Sequence, residues 1–446
     1  MKPHLRIALY SHDTVGLGHT RRNLLIAHTL VRHMADVLLV AGAPESTAFS
    51  IPQGADCLAL PALSKGQDGR YRPRRLNMDT ADLISLRSQV IRAAMEAFRP
   101  DVVIVDKVPR GAYGELNPAL EFLRSNGTRC ILGLRDVLDD KETVAREWNA
   151  SQSDEAIRRY YDAVWVYGDP TVFDPVREYG FSDEVASKVR YLGFLDQTRW
   201  LDFDPAGTGD GGMEGMLPAE NRMALCLVGG GEDGAPLAEA FVRAQFPGDT
   251  TGVLLTGPLM PTRDRCRLRR YAENRSHLRV IEFLSQPIPL VKRADRIVAM
   301  GGYNTVSEVL SFEKPALIVP RVRPRTEQLI RAERLKELGV LDLLPPSRVT
   351  PDALTEWLGR DLPRPKVRER IDLGGLARIP GLVEELVTAR ARSTSLGELN
   401  PPLAGLQAFL VGLDSQATAF LEGALPGAPS PSFLSGLPEE VLRFVM

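Results

Sequence analysis

The sequence predicts an α/β protein with two Rossmann-like, doubly wound parallel sheets and a C-terminal extension. Short runs rich in Val, Ile and Leu recur along most of the chain, and a stretch with helical periodicity follows nearly every one. Strands of that composition, alternating with amphipathic helices, pair in parallel and carry helices on both faces. A segment rich in Gly, Pro and acidic residues at 201–220 interrupts the alternation, which indicates a linker between two domains.

The first predicted domain covers residues 1–200. Its predicted strands are, in chain order, "LRIALYS" (5–11), "DVLLVAG" (36–42), "CLALP" (57–61), "DVVIVD" (101–106), "CILGLRD" (130–136), "AVWVYGD" (163–169) and "VRYLGFL" (189–195). Helices are expected between them at 20–34, 79–98, 115–125 and 141–149. An Asp cap opens the helix at 79–98 in this prediction.

The second predicted domain covers 221–392, and a Pro/Gly/Leu-rich extension covers 393–446. The predicted strands of this domain are "MALCLVGGG" (223–231), "GVLLTGP" (252–258), "LRVIEF" (278–283), "RIVAMGG" (296–302) and "PALIVP" (315–320). Helices are expected at 235–245, 263–274, 304–311 and 325–338, with two more closing the domain near 390. The extension is open to three interpretations: a lid, a docking arm or a partly ordered segment.

Bulk composition excludes several classes of protein. The 446 residues include 44% hydrophobic and 25% charged residues, an ordinary globular balance for two domains. The net charge of −2 gives no global field that would attract nucleic acid or an anionic membrane. No uncharged run approaches the roughly 18–20 residues that span a bilayer, and the N-terminus does not fit a signal peptide. We expect a cytoplasmic protein whose four scattered cysteines are buried free thiols.

Glycine-rich turns follow three of the predicted strands. In "LVGGGEDGAP" (227–236), Gly229, Gly230 and Gly231 bring bare amides to the start of a helix. A helix N-terminus carries unsatisfied donors and partial positive charge, so a diphosphate fits this turn. A tight turn without any ligand is equally compatible with this sequence.

The turn "MGGYNTVSEVL" (300–310) adds a carboxylate. Gly301 and Gly302 permit close approach, and Asn304 or Thr305 is expected to cap the next helix. Glu308 then falls about one turn into that helix, on a face predicted to be exposed, where it can accept hydrogen bonds from two ribose hydroxyls. The alternative is that Glu308 is only the capping-box partner of Asn304 or Thr305.

The segment 301–339, "GGYNTVSEVLSFEKPALIVPRVRPRTEQLIRAERLKELG", resembles the nucleotide-sugar half of GT-B glycosyltransferases. It is most similar to family 28, which includes the transferase that adds N-acetylglucosamine to the peptidoglycan lipid precursor. The shared order is a Gly-Gly turn, a Glu one helical turn later, a strand ending in Pro, and an acid–Gln pair opening a helix. The similarity extends over roughly residues 1–390.

The resemblance implies a donor site in the second domain. Glu308 would bind the ribose, and the nucleobase would lie against residues 282–284. The positions that would contact phosphate are Gly229, Gly230, Gly231, Gly301, Gly302, Asn304 and Thr305. Glu327 and Gln328 would contact the hydroxyls of the donor sugar. Met300 departs from the His or Arg that many members have there. Arg321, Arg323 or Arg325 could compensate, or could form a solvated face.

The turn "DTVGLGHTRR" (13–22) resembles the family's acceptor-facing loop. His19 would be the general base, with Gly16 and Gly18 clearing space around it. Asp13 could instead be the base or orient His19, and a helix-capping histidine is the simpler alternative. Arg21 and Arg22 lie in the first helical turn, an unfavourable place for cations unless an anion is near, which indicates a phosphate-bearing acceptor or the donor diphosphate.

Two acids at predicted strand ends, Asp106 and Asp136, should face the cleft between the domains. Each could bind acceptor hydroxyls, serve as base, or only cap the next turn. The basic segment 64–78 is either an acceptor-binding loop or a mobile exposed loop.

The implied function is a hexosyltransferase-type GT-B enzyme, inverting and metal-independent, with no cofactor. It would move a sugar from a UDP-linked donor to a glycan, a lipid-linked or a small-molecule acceptor, and peripheral membrane contact at the inner face is compatible with a lipid-linked acceptor. The alternatives are an epimerase or hydrolase of nucleotide sugars on the same fold, or a non-catalytic GT-B binding module.

Overall fold

The computed structural model describes residues 4–12, 18–33, 35–42, 49–65, 70–203, 222–284 and 286–399. The chain divides into two compact units, Met1–Glu385 and Leu386–Met446, and both large sheets lie in the first. The linker predicted at 201–220 and the extension predicted at 393–446 fall mostly outside the described residues. The predicted division into domains therefore stays a prediction.

The first sheet, as described, has seven strands in the order β3-β2-β1-β6-β7-β8-β9, all parallel. Its strands are β1 Leu5–Ser11, β2 Ala35–Ala41, β3 Ala55–Ala59, β6 Val102–Asp106, β7 Arg129–Arg135, β8 Ala163–Tyr167 and β9 Val189–Tyr191. Every residue of β6 and β8 is buried, which explains why these strands are continuous apolar runs. The predicted parallel sheet is confirmed.

The second sheet, as described, has six parallel strands in the order β12-β11-β10-β13-β14-β15. They are β10 Arg222–Leu227, β11 Thr250–Leu255, β12 Leu278–Ile281, β13 Arg296–Ala299, β14 Ala316–Ile318 and β15 Asp342–Leu343. Each sheet packs its own apolar core, one around Val103, Leu132 and Val164, the other around Leu254, Val298 and Phe241. The predicted second doubly wound sheet is confirmed.

Helices cover the faces of both sheets. Those of the first sheet are α1 Gly18–Val31, α2 Thr80–Phe98, α3 Asn117–Ser125, α4 Lys141–Ala150, α5 Ser153–Tyr160, α6 Pro175–Tyr179, α7 Asp183–Lys188 and α8 Trp200–Phe203. After β10 follow α9 Ala235–Arg243, α10 Thr262–Glu273, α11 Ile288–Arg293, α12 Tyr303–Ser311, α13 Glu327–Glu337, α14 Pro351–Gly359 and α15 Gly375–Leu399.

The chain reverses its direction of strand addition once in each sheet. In the first sheet β1 pairs with β2 on one side and β6 on the other, and in the second β10 pairs with β11 and β13. Helices that leave such a point go to opposite faces and open a crevice at the carboxyl ends of the strands. The topology therefore places two crevices, one after β1 and β6 and one after β10 and β13.

Three local expectations were met only in part. Asp79 is the N-cap of α2 as predicted, but its side chain accepts no capping bond. Part of the segment 64–78 lies in a strand pair, since β4 Leu63–Lys65 and β5 Tyr71–Pro73 are antiparallel, and acceptor binding by this segment stays a prediction. All four cysteines are free, yet Cys266 is exposed rather than buried, because α10 is a surface helix with Leu268 as its buried residue.

Candidate functional site

A histidine–aspartate pair lies at the crevice of the first sheet. His19 Nδ1 is 3.0 Å from Asp106 Oδ2, and the two side chains are 18% and 2% exposed. Asp106 ends β6, and His19 is the second residue of α1, so both stand at the reversal between β1 and β6. Asp106, 87 residues away in the chain, therefore orients the histidine. Asp13 and Gly16 lie outside the described residues.

Arg22 fixes the other side of Asp106. Its Nη2 donates to Asp106 Oδ1 at 2.6 Å and also lies 3.0 Å from His19 Nδ1. Burial alone would raise the pKa of Asp106, but the charges of Arg22 and His19 outweigh burial and hold that pKa well below its usual range. Asp106 is therefore a permanent carboxylate, and Arg22 needs no phosphate at the helix start because Asp106 supplies the anion.

A second histidine packs beside the first. His12 follows β1, is 5% exposed, and its ring centroid lies 5.3 Å from that of His19. Its buried Nδ1 has no hydrogen-bond partner among the described residues. Burial, followed by the charges of His19 and Lys107, lowers the pKa of His12 well below its usual value, so this ring is neutral at pH 7.

The triple glycine forms the crevice of the second sheet. Gly229 and Gly231 have φ values of +62° and +91°, a region that favours glycine, and Gly229 and Gly230 are exposed between β10 and α9. A Cβ on Gly231 would lie 2.1 Å from the Thr256 carbonyl oxygen. This close backbone packing explains why the turn contains no larger residue at that position.

Replacing Gly231 by Ala should strain the turn. The left-handed φ alone raises the free energy of the folded state by about 1–3 kcal/mol, and the contact with Thr256 adds to it. Gly230→Ala is the matched control, since the nearest atom to its Cβ is Leu259 Cδ1 at 3.3 Å. Urea unfolding of both variants checks the difference, and equal midpoints would contradict it.

The second glycine turn starts α12 without a side-chain cap. Gly302 is the N-cap, the helix begins at Tyr303, and no capping hydrogen bond is made by a side chain, so the expected cap from Asn304 or Thr305 was wrong. Asn304 Nδ2 instead donates to the Gly18 carbonyl at 2.8 Å. The first amides of this helix have no acceptors within the helix, and they lie at the crevice between β10 and β13.

Glu308 is buried, not exposed as the sequence suggested. It is 1% exposed, and Oε1 lies 2.9 Å from Arg21 Nη2. Burial raises the pKa of Glu308, and the Arg21 charge opposes that rise. Arg21 also donates to Gln286 Oε1 at 3.3 Å, so it reaches from α1 across to the second sheet. The cations at the start of α1 are thus matched by protein carboxylates, a pairing that helix position alone could not predict.

The acid–Gln pair opens α13 beside Arg321. Glu327 Oε1 accepts from Arg321 Nη2 at 2.9 Å, and Gln328 Oε1 accepts from the Arg321 amide at 3.0 Å. Glu327 Oε2 is buried and, in the part of the chain that the structure describes, has no hydrogen-bond partner. Arg325 contacts Asp139 at 2.9 Å and also contacts Glu147, so its side chain connects the second sheet to the first instead of forming a solvated face. Arg323, in contrast, is exposed.

Asp136 does not face an open cleft as expected. It is 0% exposed, and both of its oxygens accept from Arg331, at 2.7 to 3.0 Å. Arg331 Nη1 also donates to the Gly301 carbonyl at 3.1 Å, which holds the second glycine turn against the first sheet. Asp136 is therefore a fully buried part of the contact between the sheets.

Two cations at the same sheet edge escaped the sequence analysis. Lys107 follows Asp106, and Arg135 precedes Asp136, so each adjoins an acid that the strand-end argument had selected. Both cations stand at the carboxyl ends of strands, so their position in the sequence is the signal that identifies them.

The family comparison matches the second sheet. Residues 225–370 match the model described as the glycosyltransferase family 28 C-terminal domain. This range contains the glycine turns at 229–231 and 301–302, Glu308, Glu327 and Gln328. Among the described residues, no helix is both long and apolar enough to cross a membrane.

Similar proteins and structures agree with that match. An uncharacterized glycosyltransferase of Methanosarcina acetivorans is 25% identical over 46% of this chain and 51% of its own length, so the chain spans about half of that relative. The UDP-N-acetylglucosamine–N-acetylmuramyl-(pentapeptide) pyrophosphoryl-undecaprenol N-acetylglucosamine transferase of Synechococcus elongatus is 27% identical over 32% of this chain and 39% of its own.

Two solved structures show the fold. The glycotransferase of kitacinnamycin aligns with a TM-score of 0.57 and 20% identity, over 86% of this chain and 100% of that one. The UDP-GlcNAc 2-epimerase of Neisseria meningitidis, bound to UDP-GlcNAc, aligns at 0.55 and 12% identity, over 86% and 99%. The predicted GT-B fold is therefore confirmed by these structures, and the resemblance to family 28 is confirmed by the match of residues 225–370 to its C-terminal domain model.

Proposed function

We propose that this protein is a GT-B glycosyltransferase that moves a sugar from a nucleotide-diphosphate donor to an acceptor hydroxyl. The observation that carries the proposal is the pairing of two crevices: His19 on Asp106 after β1 and β6, and the glycine turns after β10 and β13. One crevice offers a base, and the other offers backbone amides for an anion. Glycosyl transfer needs both, one for the nucleophile and one for the leaving group.

On the acceptor side, His19 takes the proton. In this proposal the histidine carries a proton on Nδ1 and donates it to the Asp106 carboxylate, which also accepts from Arg22 Nη2, and the lone pair is left on Nε2. Nε2 removes the proton from the acceptor hydroxyl while its oxygen attacks the anomeric carbon. Asp106 then stabilises the imidazolium that forms, as a carboxylate does in other dyads of this type.

On the donor side, the leaving group is a nucleoside diphosphate. As the new bond to the acceptor oxygen forms, the bond from the anomeric carbon to the diphosphate oxygen breaks, and the electron pair leaves with the diphosphate. The amides of Gly229–Gly231 and the start of α12 stabilise that charge. A single displacement inverts the anomeric configuration. The transfer requires neither metal nor cofactor in this proposal, so a chelator should leave the rate unchanged.

Glu308 binds the ribose in this proposal. To do so, its carboxylate exchanges the Arg21 contact at 2.9 Å for ribose hydroxyls, and Glu327 Oε2 remains free for a sugar hydroxyl. The donor sugar and the acceptor are not specified by these contacts. Cytoplasmic location and peripheral membrane contact stay predictions.

Glu308→Gln should weaken UDP binding. Loss of a charge-assisted hydrogen bond to a hydroxyl corresponds to about a tenfold or larger rise in Kd. Glu337→Gln is the control, since Glu337 is an exposed acid at the end of α13. Calorimetric titration with UDP measures both, and an unchanged Kd for Glu308→Gln would remove it from the donor site.

Analysis of the reaction products distinguishes sugar transfer from epimerisation of the nucleotide sugar. The similarity to an epimerase structure supports a second candidate, a nucleotide-sugar epimerase on the same fold. With UDP-N-acetylglucosamine and a panel of acceptors, a transferase releases UDP in an acceptor-dependent way. Conversion of the sugar without any acceptor would favour the epimerase, and UDP release at an equal rate with and without acceptors would favour a hydrolase.

A further inference from the structure

Two cations at the carboxyl edge of the first sheet have no carboxylate partner. Lys107 follows β6 and is held by its amide on the Gly133 carbonyl, at 2.8 Å. Arg135 ends β7, the neighbouring strand. Within the described ranges, neither side chain makes a hydrogen bond or an ion pair, and Arg135 Nε is buried.

The nearby acids are already engaged by other guanidinium groups. Asp106 pairs with Arg22 and Asp136 pairs with Arg331. The remaining acids of this crevice are Asp139 and Glu147, both on Arg325, and Glu327, on Arg321. Every acid of this set therefore contacts a guanidinium group, with Asp139 and Glu147 sharing Arg325, and none of them contacts Lys107 or Arg135.

The backbone at Lys107 is unusual for its residue type. Its φ is +71°, a left-handed conformation that is uncommon for a lysine and raises the free energy of the folded chain. The strand ends place Lys107 directly after the Asp106 that holds His19. Both cations thus stand beside the proposed base and on the sheet opposite the glycine turns.

We propose that Lys107 and Arg135 form an oxyanion site that binds a phosphate or carboxylate group of the acceptor. The inference rests on the proposed function, since it assigns the acceptor class for that site. A lysine and a guanidinium side by side suit an oxyanion because charge-assisted hydrogen bonds from both reach its oxygens. The acceptor is then an anionic molecule whose charged group lies close to the hydroxyl that His19 deprotonates.

The pKa of Lys107 reflects its burial beside other cations. Burial, then the charges of Arg135 and Arg325, lowers the pKa of Lys107 to about 7, while Glu147 and Glu327 oppose the shift. The charge of Lys107 also helps to lower the pKa of His12, which follows β1. An anion between Lys107 and Arg135 would reverse the shift. Phosphate affinity should therefore fall as the pH rises above neutrality.

Calorimetry on the full chain tests the site with UDP present at saturation, so that the donor turns are filled. Inorganic phosphate and acetate are the two probes, one for each oxyanion class. Lys107→Met and Arg135→Gln should each weaken phosphate or acetate binding about tenfold or more, and leave the Kd for UDP unchanged. Arg124→Gln is the control, because Arg124 is exposed near the amino end of β7, at the opposite edge.

The outcomes are distinct. Arg135→Lys keeps the charge and serves if Arg135→Gln fails to fold; it should retain more affinity than Lys107→Met. The proposal is overturned if neither probe binds the wild type, if both cation variants bind like the wild type, or if they weaken UDP instead, since the cations would then serve the donor diphosphate. Failure of UDP to bind the wild type would contradict the proposed function. Titrations with phosphate and acetate in the absence of UDP would still test whether Lys107 and Arg135 bind an oxyanion.

Discussion

His19→Ala is expected to abolish most of the transfer while UDP still binds. A positioned general base contributes about 100- to 10,000-fold to the rate, so kcat should fall by that factor. His19 contacts Asp106 and Arg22 on the first sheet, whereas the glycine turns lie on the second, and the Kd for UDP should therefore stay within about twofold. The rate is measured with an acceptor that the wild type uses.

A variant at a second histidine serves as the control that distinguishes loss of the general base from damage to α1. His33, just after α1, is exposed, and His33→Ala should transfer like the wild type. If His19→Ala keeps full activity, another group takes the proton. Loss of activity in both variants would instead point to damage to α1.

Removing Arg331 is expected to destabilise the protein most among the ion-pair variants. Arg331→Met leaves Asp136 charged, buried and unpaired, and breaking such a pair lowers the free energy of unfolding by about 3–5 kcal/mol. The Gly301 carbonyl also loses its donor, so UDP affinity should fall as the second glycine turn loosens. Thermal unfolding and UDP titration measure the two effects.

The double variant provides the control. Asp136→Leu with Arg331→Met removes both charges and should recover much of the stability lost by Arg331→Met, because no unpaired ion remains. Additive losses in the double variant would show that packing, rather than the ion pair, accounts for the effect. Arg334→Met, on the exposed pair with Glu178, should change stability by less than about 1 kcal/mol.

The fold was predictable because its signals are local. Strands such as β6 and β8 are buried on both faces and therefore appear as unbroken apolar runs, and each is followed by a helix. The glycine turns were predictable for a similar reason. Gly231 has no space for a Cβ, so its requirement appears directly in the sequence.

The pairing of charges was not predictable, because it depends on packing between distant segments. Asp136 and Arg331 are 195 residues apart, and although Asp136 was predicted at a strand end, nothing in the sequence indicated that it meets Arg331 on α13. Likewise Arg21 was attributed to a phosphate, when the anion near it is Glu308 on α12. Helix position predicts that an anion is needed but does not say whether a ligand or a side chain supplies it.

A crystal structure with UDP bound tests the central claim most directly. The account predicts a diphosphate against the amides of Gly229–Gly231 and the start of α12, with Glu308 released from Arg21 and bonded to the ribose. A diphosphate bound elsewhere, with the contact between Glu308 and Arg21 intact, would contradict it.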